Sequence, residues 1–276
     1  SSFKDVISTI TDDSKIVDAA KIIINSDDAP IANFLKSLLD TGRLDTVINK
    51  LPFNEAFKIL PCARQIGWEG FDTFLKTKVS PSNVDVVLES LEVQTKMTDT
   101  NTPFRSLKTF DLFAFHSLIE VLNKCPLDVL QLQRFESLEF SLLIAFPRLI
   151  NFGFGHDEAI LANGDIAGIN NDIEKEMQNY LQKMYSGELA IKDVIELLRR
   201  LRDSDLPRDQ EVFTCITHAV IAESTFFQDY PLDALATTSV LFGSMILFQL
   251  LRGFVLDVAF RIIMRFAKEP PESKMF

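Results

Sequence analysis

Apolar residues recur at three- and four-residue spacing along almost the whole chain, and Pro, Gly or Asn/Asp/Ser clusters interrupt them about every 10 to 20 residues. That rhythm predicts short stacked helices. Ser14 is placed to cap a helix carrying Ile16, Val17, Ala20, Ile23 and Ile24 on one face. Pro30 suits the first turn of the next, through Phe34, Leu35, Leu38 and Leu39, and Gly42 stops it. Leu44 to Leu51 and Asn54 to Arg64 read as a further pair. Trp68 to Lys78 follows, and Ser80 with Pro81 opens a helix lined by Val84, Val87, Leu88 and Leu91. The polar interval Thr98 to Pro103 ends this series. Two long apolar helices come next, Leu107 to Asn123 and Leu127 to Ile150, the second with Pro147 as its point of bending.

Alternation of apolar and polar residues never persists between hairpin turn signals, so no sheet is expected. The expected fold is all-α, a HEAT/armadillo-like helical-repeat solenoid of antiparallel pairs of about 35 to 45 residues, although no literal repeat is visible. Residues 152–171, FGFGHDEAILANGDIAGINN, hold Gly153, Gly155, Gly164 and Gly168 and differ in composition from both flanks. We place a linker there, between a helical block 1–151 and a second block 172–276. The second block reads as helices Asp172 to Tyr185, Ala190 to Arg202 and Pro207 to Ser224, then an aromatic turn FFQDYP from Phe226 to Pro231. Leu232 to Leu251 and Phe254 to Ala267 close it as two very apolar helices, and Pro270 with Pro271 stops them.

Composition narrows the function more than the fold. With 47% hydrophobic and 24% charged residues among 276, disordered and collagen-like classes are excluded. A net charge of −11 opposes a broad nucleic-acid or anionic-membrane surface. Ala234 to Leu251 is the most apolar stretch, yet it contains Thr237, Thr238, Ser239, Ser244 and Gln249 and is shorter than the roughly 20 residues a bilayer needs. A buried core helix is expected instead. Cys62, Cys125 and Cys215 lie far apart, which suits reduced thiols inside a cell rather than a disulfide framework. No signal peptide is visible, and the opening without Met fits a piece of something longer.

Candidate chemistry is sparse. His116 and His218 sit within apolar helices, where an imidazole with a structural partner is the ordinary outcome. Gly155-His156-Asp157-Glu158 is the one segment resembling a site, and a hydrolase built there is a third-ranked alternative; without a second clustered His or Cys it lacks a metal's ligand set. Neither G-x-G-x-x-G nor G-x-x-x-x-G-K-[ST] nor G-x-S-x-G occurs, and Ser244 reads as structural. Asp12-Asp13, Asp27-Asp28 and Glu174/Glu176 read as solvated faces and helix-start charges. No catalytic, metal or cofactor residue is therefore expected. Arg199, Arg200, Arg202 and Arg208 form the one cationic cluster, interleaved with Asp203, Asp205 and Asp209, and direct RNA binding through Arg199 to Arg208 is the runner-up function. A helical surface without a visible active site favours a protein-binding scaffold.

Specific segments carry a family resemblance. The stretch Glu174 to Ile246, with RDQEVFTC (Arg208 to Cys215), FFQDYP (Phe226 to Pro231) and LATTSVLFG (Leu235 to Gly243) inside it, and the closing ESKMF (Glu272 to Phe276) beyond it, are similar to the family of large scaffold subunits of the CCR-NOT deadenylation complex. GHDEAILANGD (Gly155 to Asp165) fits the lead-in to the same domain, and the first 150 residues resemble the helical repeats of the family's amino-terminal arm. The resemblance implies a middle domain of initiation-factor-four-gamma type that continues beyond Phe276, docking a DEDD-type poly(A) nuclease subunit, a DEAD-box decapping-activator helicase and other CCR-NOT subunits. It implies no enzymatic activity of its own, and residence in cytoplasm and nucleus. Affinity on such faces concentrates in aromatic, Met and Arg anchors. The candidates are Tyr180, Met184 and Tyr185, then Phe226, Phe227 and Tyr230, with Arg199, Arg200 and Arg202 for an acidic patch on a partner; Phe226 and Phe227 also fit a core role.

Overall fold

The computed structural model describes residues 2–26, 30–97 and 107–268. Asp27-Asp28, the interval Thr98 to Pro103, Pro270, Pro271 and the ESKMF segment lie outside the described residues. Among the described residues every regular element is helical, fifteen α-helices with two 3₁₀ turns. The expected all-α, HEAT-like class is what the chain forms. The helices are α1 (Phe3–Thr9), α2 (Asp13–Ile24), α3 (Ile31–Asp40), α4 (Leu44–Lys50), α5 (Phe53–Gln65), α6 (Phe71–Lys78), α7 (Val84–Lys96) and α8 (Leu112–Lys124). They continue as α9 (Val129–Ala145), α10 (Asp157–Leu161), α11 (Asn171–Tyr185), α12 (Ile191–Arg202), α13 (Pro207–Glu223), α14 (Leu232–Leu247) and α15 (Phe254–Ala267). Consecutive helices pack on each other, as α3 on α4, α5 on α6 and α12 on α13, and packing also skips one helix, α1 on α3, α2 on α4, α3 on α5, α6 on α8, α11 on α13 and α12 on α14. That pattern is the signature of stacked helix pairs. The chain divides into two compact units, 1–135 and 136–276, with the division inside α9.

Local chemistry sets the first unit's helix ends. Periodicity does not announce α1, which is seven residues long and rests on a reciprocal capping box between Ser2 and Asp5. The cap of α2 is Asp12 rather than Ser14: the Asp12 carboxylate accepts from the Ser14 backbone N–H at 3.0 Å and from its hydroxyl at 2.8 Å. A charged acceptor holds both donors, so the helix begins earlier than the serine suggested. Gly42 does end α3, at φ +71°, a conformation that side chains disfavour. Arg43 then donates to the carbonyls of Ile7 and Ile10 and to Asp13 at 2.6 Å, tying the end of α3 to the end of α1 and the start of α2.

The first unit's core is aromatic. Phe110 sits 5.9 Å from each of Phe57, Phe71 and Phe115, and Phe57 continues to Phe53 at 5.5 Å. Edge-on and tilted rings at these distances add to the burial of large apolar area. Trp68 is buried with its indole N–H donating to Asp45 at 2.6 Å, and buried Gln94 accepts from the Phe110 N–H at 3.0 Å.

In the second unit, α9 ends at Ala145, because Pro147 has no N–H to continue it and opens the 3₁₀ turn Pro147–Ile150 instead. A second 3₁₀ turn, Ser224–Asp229, follows α13. All three cysteines are free. Cys62 and Cys215 are buried and Cys125 half-buried, and burial pushes each thiol up, Cys215 to about 12. No helix among the described residues is long and apolar enough to cross a membrane.

Candidate partner-binding surface

A polar frame inside the second unit fixes what its surface presents. Arg148 is 2% exposed and spends all its N–H donors internally. Its guanidinium meets the buried Glu211 carboxylate of α13 twice, at 3.0 and 2.6 Å. The remaining donors go to the carbonyls of Asp165, Ala167 and Gly168, the first at 2.8 Å and the last at 3.3 Å. The Gly-containing stretch is thereby fastened to the 3₁₀ turn and to α13. Asn151 donates to the Arg202 carbonyl and to Gln210 and accepts from Arg252 at 2.8 Å, while the Arg252 guanidinium lies 4.3 Å over the Phe154 ring. Glu139 of α9, 3% exposed, faces Arg261 of α15 at 3.2 Å. Burial outweighs that cation and raises the Glu139 carboxyl to about 7. Sequence reading missed these pairs, since each charge looks solvated when read alone; the usable signal was Arg148 set between Phe146, Leu149 and Ile150.

The sequence-predicted anchors divide sharply. Met184 and Phe227 are each 3% exposed and belong to the core. Phe227 packs against Tyr230 at 5.4 Å and Phe266 at 5.7 Å, whereas its neighbour Phe226 is 56% exposed. Tyr230 donates to Glu223 at 2.7 Å, and desolvation first, then that carboxylate, pushes its phenol up. Tyr180 donates to Glu176 at 3.4 Å and its phenol is also raised, mainly by desolvation. Tyr185 is half exposed with its hydroxyl 2.6 Å from Thr238 Oγ1. Thr238 donates its own proton to the Ala234 carbonyl, so Tyr185 is the donor of that bond.

Three of the four arginines meet neighbouring side chains. Arg202 pairs with Asp203 at 3.0 Å through two nitrogens and donates to the Gln249 carbonyl. Arg208 meets Glu176 at 2.6 Å, and Arg199 lies 3.8 Å from Glu196 with its guanidinium 5.7 Å over Phe248. Arg200 is exposed on α12.

The histidine segment does not converge. His156 Nδ1 lies 2.8 Å from Asp205, Asp157 accepts from the Gly153 N–H at 2.6 Å, and Glu158 is exposed. Among the described residues no group of three or more His, Cys, Asp or Glu is arranged to hold a metal ion. His218 Nε2 lies 3.0 Å from the Ile144 carbonyl, so that nitrogen carries the proton, and burial lowers the imidazole's pKa. His116 sits 3.9 Å from Glu120 on the same helix.

An open apolar surface among the described residues of the second unit lies where the sequence pattern predicts a buried helix. α14 ends at Leu247, not Leu251, and only one side of it is covered. Leu232, Val240 and Leu247 are 66%, 54% and 74% exposed. Their spacing, with Ala236 and Gly243 between, puts all five on one helix face about 22 Å long. Exposed Asp233 borders the stripe at its first turn and is the one charged residue of α14, and the space where a Gly243 side chain would stand is open. Tyr185 bonds α14 through Thr238, and the Arg199–Phe248 pair lies just past the end of the helix. Mean apolarity alone cannot separate a helix covered all round from one with an uncovered face.

Comparisons with known proteins agree with this geometry. A family model described as CCR4-NOT transcription complex subunit 1 HEAT repeat matches residues 2–123, and one described as CCR4-NOT transcription complex subunit 1 TTP binding domain matches residues 158–276. The chain is 35% identical over 144 residues to the General negative regulator of transcription subunit 1 of Schizosaccharomyces pombe, covering 52% of this chain and 7% of that protein. It is 27% identical over 107 residues to the CCR4-NOT transcription complex subunit let-711 of Caenorhabditis elegans, covering 38% and 4%. A solved structure, the N-terminal domain of the yeast Not1, matches with a TM-score of 0.96 at 99% identity, over 99% of this chain and 51% of that one. The chain thus spans about half of that solved chain and a small fraction of the curated relatives. Both family models, the curated relatives and the solved structure converge on one assignment: the chain belongs to the Not1 family, subunit 1 of the CCR4-NOT complex.

Proposed function

We propose that this chain is a non-catalytic scaffold segment of the CCR4-NOT complex, and that the α14 face of its second unit holds a protein partner. The observation that carries the reading is the apolar stripe Leu232, Val240 and Leu247, with Asp233 the one charge of its helix, on a unit pinned by the Arg148–Glu211 pair. The match to a TTP binding domain over the same residues supports it. The DEDD-type poly(A) nuclease and the DEAD-box decapping-activator helicase belong to the partner set. Mechanistically, a scaffold acts by effective concentration: an enzyme and an adaptor tethered on one frame meet in a nearly intramolecular event, which promotes deadenylation, decay and repression. Direct RNA binding through Arg199 to Arg208 is the weaker reading, because Arg202 and Arg208 already face carboxylates at 3.0 Å or less.

Calorimetric titration of the purified chain with the nuclease subunit, the helicase and a TTP-derived peptide tests this proposal. At least one should bind, and Val240→Asp with Leu247→Asp should weaken it by about tenfold or more while leaving helicity unchanged. A folded chain that binds none of them, or a double variant that binds like the parent, removes the assignment. A steep salt-dependent affinity for single-stranded RNA would favour the second reading.

A further inference from the structure

The first unit carries a different uncovered surface. The opening of α9 reads Val129, Leu130, Gln131, Leu132, and its three aliphatic residues are 73%, 72% and 45% exposed. First-turn positions ordinarily favour Asp or Glu, which complement the helix dipole. Here they are large and apolar. The turn is not a frayed end: the Gln131 N–H donates to the Asp128 carboxylate at 2.8 Å, and the Asp128 N–H donates back to Gln131 at 3.0 Å, a closed capping box. The exposed side chains are therefore presented from ordered backbone.

Acidic groups border this turn. Leu130 shares a face of α9 with Arg134, one turn on. Arg134 reaches Glu92 at 2.9 Å and Asp85 at 3.4 Å on α7, and Gln131 donates to Asp85 at 3.2 Å. Glu89, exposed between them on α7, also acts on the Arg134 charge. One guanidinium thus stands among three carboxylates, with Asp128 at the helix start, so the local balance stays negative even with exposed Lys124 at the end of α8 and exposed Lys96 at the end of α7. Val93, 49% exposed one turn beyond Glu89, adds an apolar position to the same face of α7.

We propose that the first turn of α9 and the acidic face of α7 form a docking site for a short basic amphipathic segment of a partner protein, with aliphatic side chains against Val129, Leu130 and Leu132 and Lys or Arg against Asp85 and Glu89. Charge selects this occupant. A second copy of the chain brings a net charge of −11, and a nucleic acid brings phosphates, so both are repelled at a negative rim. A cationic partner gains there, and its apolar face covers what water otherwise hydrates. The site lies wholly within the first unit, whereas the α14 face belongs to the second.

The test uses the chain with a fluorescein-labelled synthetic helical peptide that has leucines on one face and arginines flanking them, read by anisotropy. Two control peptides replace either every arginine by glutamate or every leucine by serine. The parent peptide should bind with salt-dependent affinity, and both controls should bind about tenfold or more weakly. Leu130→Glu should abolish binding, and Asp85→Lys with Glu89→Lys should transfer preference to the glutamate peptide. All these positions are exposed, and circular dichroism verifies folding. Absence of parent binding overturns the proposal. So does equal binding of the serine peptide, which would mean attraction to an acidic chain alone, and so does an undiminished Leu130→Glu variant. Sedimentation adds a last outcome: self-association abolished by Leu130→Glu would assign the surface to a second copy and defeat the proposal.

Discussion

The two units are both helical stacks, yet they are held together by different chemistry. Around Phe110 the first unit gathers rings at 5.9 Å on three sides, an apolar centre whose stability follows from area removed from water. The second unit spends buried volume on Arg148, Glu211, Asn151, Gln210 and Glu139, all 3% exposed or less. Buried ions gain little net stability over apolar residues of similar size, but losing one partner is costly. The contrast teaches that the first unit tolerates conservative substitution gradually, while the second is locked by a few groups that fail abruptly.

The largest effect should come from breaking that lock. Glu211→Ala leaves the Arg148 charge buried without its carboxylate and should cost about 3 to 5 kcal/mol, read as faster hydrogen exchange confined to 136–268. Equal acceleration in residues 30–97 would erase the distinction between the units. Phe110→Ala should cost about 3 to 4 kcal/mol, with its exchange signature in the first unit instead; a signature in α11 to α13 would contradict the comparison. A third perturbation is pH. The folded Glu139 carboxyl titrates at about 7 against an ordinary 4.5, so the folded state binds the proton more tightly. Its contribution is therefore fully present below about 4.5 and is lost as pH rises through 7, a span of about 1 to 3 kcal/mol. Glu139→Gln should flatten the slope between those limits, measured by urea unfolding across pH, and an unchanged slope would place the titration elsewhere. The smallest expected effect is Tyr185→Phe, which removes one donor while Thr238 keeps its bond to Ala234, about 0.5 to 1 kcal/mol in thermal unfolding.

What the sequence made legible follows the same division. In α12 and α15 expected and observed helices agree within a residue, whereas α8 begins at Leu112 and not at Leu107, because the Asp111 carboxylate caps it by accepting from the Ala114 N–H. Phe226 and Phe227 defeated the pattern because they lie in a 3₁₀ turn, where adjacent positions point apart and helical spacing gives no guide to which one is covered. Arg148 and Glu211 are 63 positions apart, and nothing local marks either as the other's partner. α14 was legible as a helix but not as a surface, since hydrophobicity reports a wish for burial and not whether a neighbour meets it.

The thiols give each unit its own witness. Cys62 is sealed in the first and Cys215 in the second, both as unreactive neutral sulfhydryls while folded. Alkylation followed by mass spectrometry can therefore time the opening of either unit separately, without an added label, and half-buried Cys125 serves as the internal reference for reagent access.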